Sequence, residues 1–194
     1  MAATSQLAPL TNRQAHLRDA LVELVLAQGF RRLTMDDFAA QLGCSKRSLY
    51  ALAESKEQLA TLAVRYFFRQ TTEQVEAALA RTRSPARRVT RYLESVAVAL
   101  RPASQAFRDD VAQFGPAREL YEQNTLAAAR RVRELIEEGT RSGSFRTVPG
   151  AFVGEVVTAT MRRITSGEIQ AATGLDDASA YAELARLVVA AVRR

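Results

Sequence analysis

The chain has 194 residues, 47 % hydrophobic and 25 % charged, with a net charge of +6, one Cys and one His. That length suits one large or two small domains with a substantial core, and the longest apolar runs, such as residues 96–100 and 187–192, fall far short of the roughly 20 residues that cross a bilayer. A single cysteine excludes an internal disulfide and fits a reducing cytoplasm, while Cys44 and His16 alone cannot make a His/Cys metal site and no nucleophile motif stands beside His16.

A basic balance points to an acidic partner such as nucleic acid. The excess is not where such a partner is expected. Residues 61–101 carry eight basic and three acidic side chains, whereas residues 1–60 and 102–194 are close to balance. Arg81, Arg83, Arg87, Arg88 and Arg91 in that middle stretch read as a solvated helix face. Both lysines of the chain, Lys46 and Lys56, lie instead in one short segment, LGCSKRSLYALAESKEQL at 42–59.

The elements are helical nearly throughout. Residues 1–10 read as a flexible tail, without the basic start and long apolar centre of a secretory signal. Leu17, Ala20, Leu21, Leu24 and Val25 then line one face of a helix. Thr11 and Gln14 form a capping box at its start. Gly29 supplies the left-handed residue that ends it, with Phe30 folding back as an apolar contact. Thr34 caps a short helix whose first turn holds Asp36 and Asp37, where the helix dipole favours anions. Phe38, Ala39 and Leu42 are its apolar positions, and Gly43 ends it. Ser45 caps a second short helix. Ser55 with Gln58 makes another capping box and opens a long helix over 56–80. Punctuation at Ser84-Pro85, Arg101-Pro102, 114–116 and 141–150 predicts further helices near 85–100, 103–112, 117–140, 150–166 and 177–193.

Two short helices joined by a tight glycine turn, over about residues 33–52, form a helix-turn-helix. The second helix of such a pair enters the major groove. Here it begins Ser45-Lys46-Arg47-Ser48. Arg47 suits guanine O6 and N7, Ser48 suits several base edges, and Tyr50 suits the sugar-phosphate wall. Leu49 faces inward. Lys56 and the Ser55 cap stand at a helix N-terminus, which suits a phosphate.

The stretch GFRRLTMDDFAAQLGCSKRSLYALAESKEQL resembles the DNA-binding signature of the tetracycline-repressor (TetR) family. The likeness spans about residues 11–60, and the spacing from Thr34 to Lys56 holds without a gap. It implies that Thr34, Ser45, Lys46, Arg47, Ser48, Tyr50 and Lys56 touch DNA. One departure is Ala51-Leu52-Ala53, where the family usually has x-His-Phe. That removes a phosphate contact and a packing group between the motif and the long helix.

The resemblance implies an all-α chain in three parts: a tail over 1–10, a three-helix DNA-binding domain over 11–60, and a helical ligand-binding and dimerisation domain over 61–194. The aromatic set Phe67, Tyr92, Phe107, Phe114 and Tyr121, with Arg108 and Asn124, is the expected effector pocket. The apolar stripes Phe152, Val153, Val156, Val157, Thr160, Ile164 and Tyr181, Leu184, Leu187, Val188, Ala191 are the expected dimer interface. Residues at such helical spacing also read as plain core of a single subunit, the pocket set more readily than the dimer stripes. The implied function is a dimeric, cytoplasmic transcriptional regulator, a repressor released from a palindromic double-stranded operator by a small-molecule effector. It calls for no cofactor, no metal, no membrane and no catalysis. A DNA-binding architectural protein without a ligand is the alternative.

Overall fold

A computed structural model describes residues 12–193, so Thr11 and the tail at 1–10 lie outside the described residues. These residues form ten α-helices: α1 (Asn12–Gln28), α2 (Met35–Gln41), α3 (Lys46–Tyr50), α4 (Lys56–Ala80), α5 (Pro85–Leu100), α6 (Gln105–Gln113), α7 (Gly115–Arg141), α8 (Gly150–Thr165), α9 (Glu168–Thr173) and α10 (Asp177–Val192). The fold is all-α. No described helix is long and apolar enough to cross a membrane.

The N-terminal breaks follow local chemistry. Gly29 adopts φ +75° after α1 and Gly43 φ +58° after α2, a region that only glycine enters without strain. Thr34 Oγ1 accepts from the Asp37 amide at 3.2 Å, and the Thr34 amide donates to Asp37 Oδ2 at 2.8 Å, which completes a capping box. Ser45 caps α3 and Ser55 caps α4 through the amides of Ser48 and Gln58. Gln58 itself reaches past Ser55 to the Glu54 amide at 3.0 Å, so the expected second box closes one residue early. Ser84 precedes α5 without a side-chain cap, and Pro85 opens the helix by its own fixed φ.

The core of the N-terminal unit is formed by Leu21, Val25, Phe38, Leu49 and Leu59, all nearly fully buried. α3 packs on α2, with Leu49 fully buried. The long α4 leaves this unit, at about 1.5 Å per residue reaching about 37 Å, and packs on α1, α5 and α7. In the body α5 packs on α10, and α7 on α8. The periodicity missed α9, a six-residue helix bounded by Gly167 (φ +78°) and Gly174 (φ +76°). It has no buried residue, so no apolar face announces it. The end of α10 is stitched back to the loop after α7. The Arg146 amide donates to Val192 O, and Arg146 Nε donates to Ala191 O at 2.7 Å.

Candidate DNA-contacting helix and effector cavity

Of the seven residues singled out by the motif, Arg47 and Tyr50 stand exposed on α3 with no side-chain hydrogen bond or ion pair among the described residues, Tyr50 with 51 % of its surface free. Ser45 Oγ and Ser48 Oγ lie 2.9 Å apart at the start of the same helix. Lys46 Nζ pairs with Asp36 Oδ1 at 2.7 Å, and that carboxylate raises the lysine above its ordinary value. Any phosphate at Lys46 competes with Asp36. Hydrogen bonds from Thr34 hold the Asp37 carboxyl below the usual carboxylate range. Cys44 is half-buried in the turn, and burial pushes its thiol up, away from the reactive thiolate form.

Lys56 departs from expectation. Its Nζ donates to the carbonyl of Arg31 at 3.0 Å, so in this conformation it ties the α1–α2 loop to the first residue of α4 rather than standing free for a phosphate. The same loop is gripped from the other side by α6. Asp110 Oδ2 accepts from the amides of Phe30 (2.6 Å) and Arg31 (2.8 Å), and the Arg31 guanidinium reaches the Gln113 side chain. A Cβ at Gly29 would fall 2.5 Å from that Asp110 oxygen, so the glycine permits the approach as well as the turn. The Ser104 amide before α6 donates to Leu26 O, near the end of α1, at 2.9 Å. Nothing in the sequence announced this junction, because its donors and acceptor lie about 80 residues apart.

Ala51-Leu52-Ala53 carries α3 into α4 without strain. Ala53 is buried, and its amide bonds to Leu49 O. An open groove of about 420 Å³ lies beside Ala53, bordered by Leu62, Phe114 and Pro116.

The body holds a half-open cavity of about 210 Å³ between α4, α5, α7, α8 and α10. Tyr92, Tyr121 and Asn124 of the expected pocket line it. Phe67, Phe107, Phe114 and Arg108 do not. Phe107 is fully buried, edge-on to Phe67 at 6.2 Å, and Phe114 stacks edge-on to Phe30 at 5.6 Å. Arg108 Nη1 bonds Ala103 O at 2.9 Å and faces Asp177 at 3.4 Å. Phe67 and Phe107 serve the core and Phe114 a joint of α6, while Arg108 lines, with Tyr121, a neighbouring open groove of about 290 Å³. Helical spacing shows that a side chain faces inward; it does not show whether it meets another side chain or open space.

The cavity's remaining polar lining went unread. Glu76 and Arg131 meet across it at 2.8 Å, and Tyr181 closes one wall. Its helical spacing places Tyr181 in the expected dimer stripe. The structure puts it 1 % exposed inside the subunit, together with the buried Val157, Ile164, Leu184 and Val188. Val153 and Thr160 are half-buried. What remains outside is Phe152 (68 %), Val156 (45 %) and Leu187 (68 %), with exposed Ala191. These lie on α8 and α10, which pack side by side. Each helix buries one flank of its stripe and exposes the other.

Burial, aided by the nearby Glu76 carboxylate, pushes the Tyr92 phenol well up, and burial does the same for Tyr121 and Tyr181. All three remain neutral hydroxyls at physiological pH. The carboxylate of Glu76 holds Arg131 above its ordinary value.

Residues 17–62 match the family model described as "Bacterial regulatory proteins, tetR family". No curated protein matches the chain by sequence. Solved structures match its fold over nearly the whole length. A transcriptional regulator from Cytophaga hutchinsonii is 13 % identical with a TM-score of 0.77, covering 95 % of this chain and 100 % of its own. A structure from Saccharomonospora viridis solved in complex with choline is 18 % identical with a TM-score of 0.73, covering 95 % and 100 %. The regulator FadR from Bacillus subtilis, in complex with stearoyl-CoA, is 14 % identical with a TM-score of 0.68, covering 90 % and 97 %.

Proposed function

We propose that the chain, whose N-terminal unit matches the TetR family, is a transcriptional regulator of that family, a dimeric repressor released from a palindromic operator by a small molecule. The observation that carries this reading is the double grip on the α1–α2 loop. Lys56 at the head of α4 and Asp110 on α6 hold the same two or three residues. A change in the body that shifts α4 or α6 moves the DNA-binding unit with it.

In this reading residues 11–60 are the DNA-binding domain and 61–194 the effector and dimer domain. Arg47 reads a base, and Ser48 and Tyr50 flank it. Thr34, Ser45, Lys46 and Lys56 meet backbone phosphates, the two lysines after exchanging Asp36 and the Arg31 carbonyl for DNA. The exposed apolar flank of α8 and α10 supports the dimer. Phe152, Val156 and Leu187 are three large apolar side chains left in water on adjoining helices. A second copy related by a two-fold axis would cover them with its own pair, giving a four-helix contact. Such a dimer sets two α3 helices about 34–36 Å apart or a multiple of that, matching successive turns of DNA. The protein acts in the cytoplasm, where that DNA is, and performs no catalysis.

Selection of bound DNA from a random pool by the purified protein tests the reading. Enrichment of a palindrome with half-sites about one or two turns apart is expected. Recovery of unrelated sequences at equal affinity would instead mark an architectural DNA binder.

A further inference from the structure

We propose that the effector is a small uncharged molecule of about one aromatic ring with a hydrogen-bond-accepting oxygen, held by the hydroxyls of Tyr92, Tyr121 and Tyr181. This rests on the effector-released reading above and adds size, charge and polar handle to it.

Size follows from the cavity. Its volume of about 210 Å³ exceeds the ~150 Å³ that accepts benzene and is below the ~300–1,000 Å³ of sites for drug-sized ligands. Phe68, Val75, Val96, Leu100 and Met161 give it apolar walls.

Charge follows from Arg131, the one cation on the lining. Its Nε and Nη2 bond the two oxygens of Glu76 at 2.8 and 3.3 Å, and its Nη1 bonds Glu134 at 3.0 Å with Glu138 at 3.5 Å. Every guanidinium nitrogen is committed to the protein. Arg88 also pairs with Glu138. On the lining itself Arg131 and Glu76 form a closed, neutral pair, so a ligand carboxylate or phosphate finds no free donor cation. A ligand cation fares no better at Glu76, whose two oxygens both accept from Arg131.

The polar handle follows from the tyrosines. They come from α5, α7 and α10 and border one cavity. None of their hydroxyls has a hydrogen-bond partner among the described residues, and none is sealed off from open space. Tyr92 and Tyr181 are more than nine-tenths buried. Phenol hydroxyls left without a protein partner are free to donate to a ligand, and the two lone pairs of a neutral carbonyl or ether oxygen would accept from them.

Four probes of similar size separate the terms: methyl benzoate, propylbenzene, benzoate and phenyltrimethylammonium, each titrated into the full-length protein by calorimetry. Methyl benzoate should bind at least about tenfold more tightly than either ion, and about three- to tenfold more tightly than propylbenzene. Tyr121→Phe and Tyr181→Phe keep the rings. Each should weaken the ester about three- to tenfold while leaving propylbenzene unchanged, which also shows that the cavity is intact. Equal or tighter binding of either ion, no loss in the two variants, or no binding of any probe overturns the assignment. The same titration against protein bound to its selected DNA separates the two readings. An ester that binds as stated but leaves DNA binding unchanged upholds the ligand class and sinks effector release. DNA released by a long-chain acyl ligand, with no ester binding, sinks the class and upholds release.

Discussion

The N-terminal unit and the helical body differ in how far along the chain their polar side chains reach. In the first they stand at the surface and finish nearby backbone: Thr34, Ser45 and Ser55 each cap the helix that follows within three residues. The body also caps α6 and α10 locally, with Ser104 and Asp176, but adds part-buried polar side chains answered from far away in the chain. Arg131 on α7 meets Glu76 on α4, 55 residues off, and three tyrosines from three helices border one cavity. Local closure makes a unit whose surface is free to vary at α3. Remote closure makes a unit in which a small shape change inside is felt by several helices at once. Asp110 and Lys56 join the two.

The largest expected effect tests which aromatic rings belong to which role. Phe107 is fully buried and packs on Phe67. Phe107→Ala should cost about 3–5 kcal/mol of stability, as for other buried aromatics. Denaturant unfolding measures it. A loss below 1 kcal/mol would return Phe107 to the pocket wall that its spacing suggested. Asp110 comes next. Its carboxylate accepts from two backbone amides that have no other partner, and hydrogen bonds to a charged acceptor contribute about 1.5–3 kcal/mol. Asp110→Ala should lower stability by about that much and reduce the effector's influence on operator binding. An unchanged response in the folded variant would show that the grip of α6 carries no signal.

The difference between the regions also explains what could be read from residues alone. Gly29, Gly43, Thr34 and Ser45 act within four residues of where they stand, so their roles were legible with the element bounds they set. The start of the long α4 was legible for the same reason, from its Ser55 cap. Phe67 and Phe68 are adjacent, equally aromatic and both buried, yet only Phe68 borders the cavity. That choice depends on where α5, α7 and α10 come to rest. Tyr181 and Leu187 share one helical stripe in the sequence, and one is inside while the other is in water. The candidate contacts to DNA were legible as residue types, but not the pairing of Lys46 with Asp36 or of Lys56 with Arg31.

Arg47 sharpens the surface side of the comparison. It is exposed and unpaired, so its removal costs the fold little. Arg47→Ala should weaken operator binding by about 1–3 kcal/mol and relax preference at one base position. Equal weakening on all sequences would make it a phosphate contact. Lys56 poses the same question with an anchor attached. If it exchanges the Arg31 carbonyl for DNA, Lys56→Met lowers the salt slope of binding by roughly one contact per subunit. If it only holds the loop, affinity changes while the slope does not.

The smallest effect concerns the capping box of α2. Thr34 donates to Asp37 from both its hydroxyl (2.7 Å) and its amide (2.8 Å), and these bonds hold the carboxyl below its ordinary value. A carboxylate whose folded value is depressed binds its proton more weakly in the folded state than in the unfolded one. Its contribution is therefore fully present above the unfolded value, near 4, and is lost as pH falls through the folded one. Asp37→Asn should be less stable than the parent at neutral pH, and the gap should close as pH falls below about 4. Asp37 is exposed, so the gap is small and salt-sensitive. A gap that persisted unchanged to pH 2 would mean that shape rather than charge holds the box. The start of α2, and the placement of α3 behind it, would then be as insensitive to ionisation as the buried body.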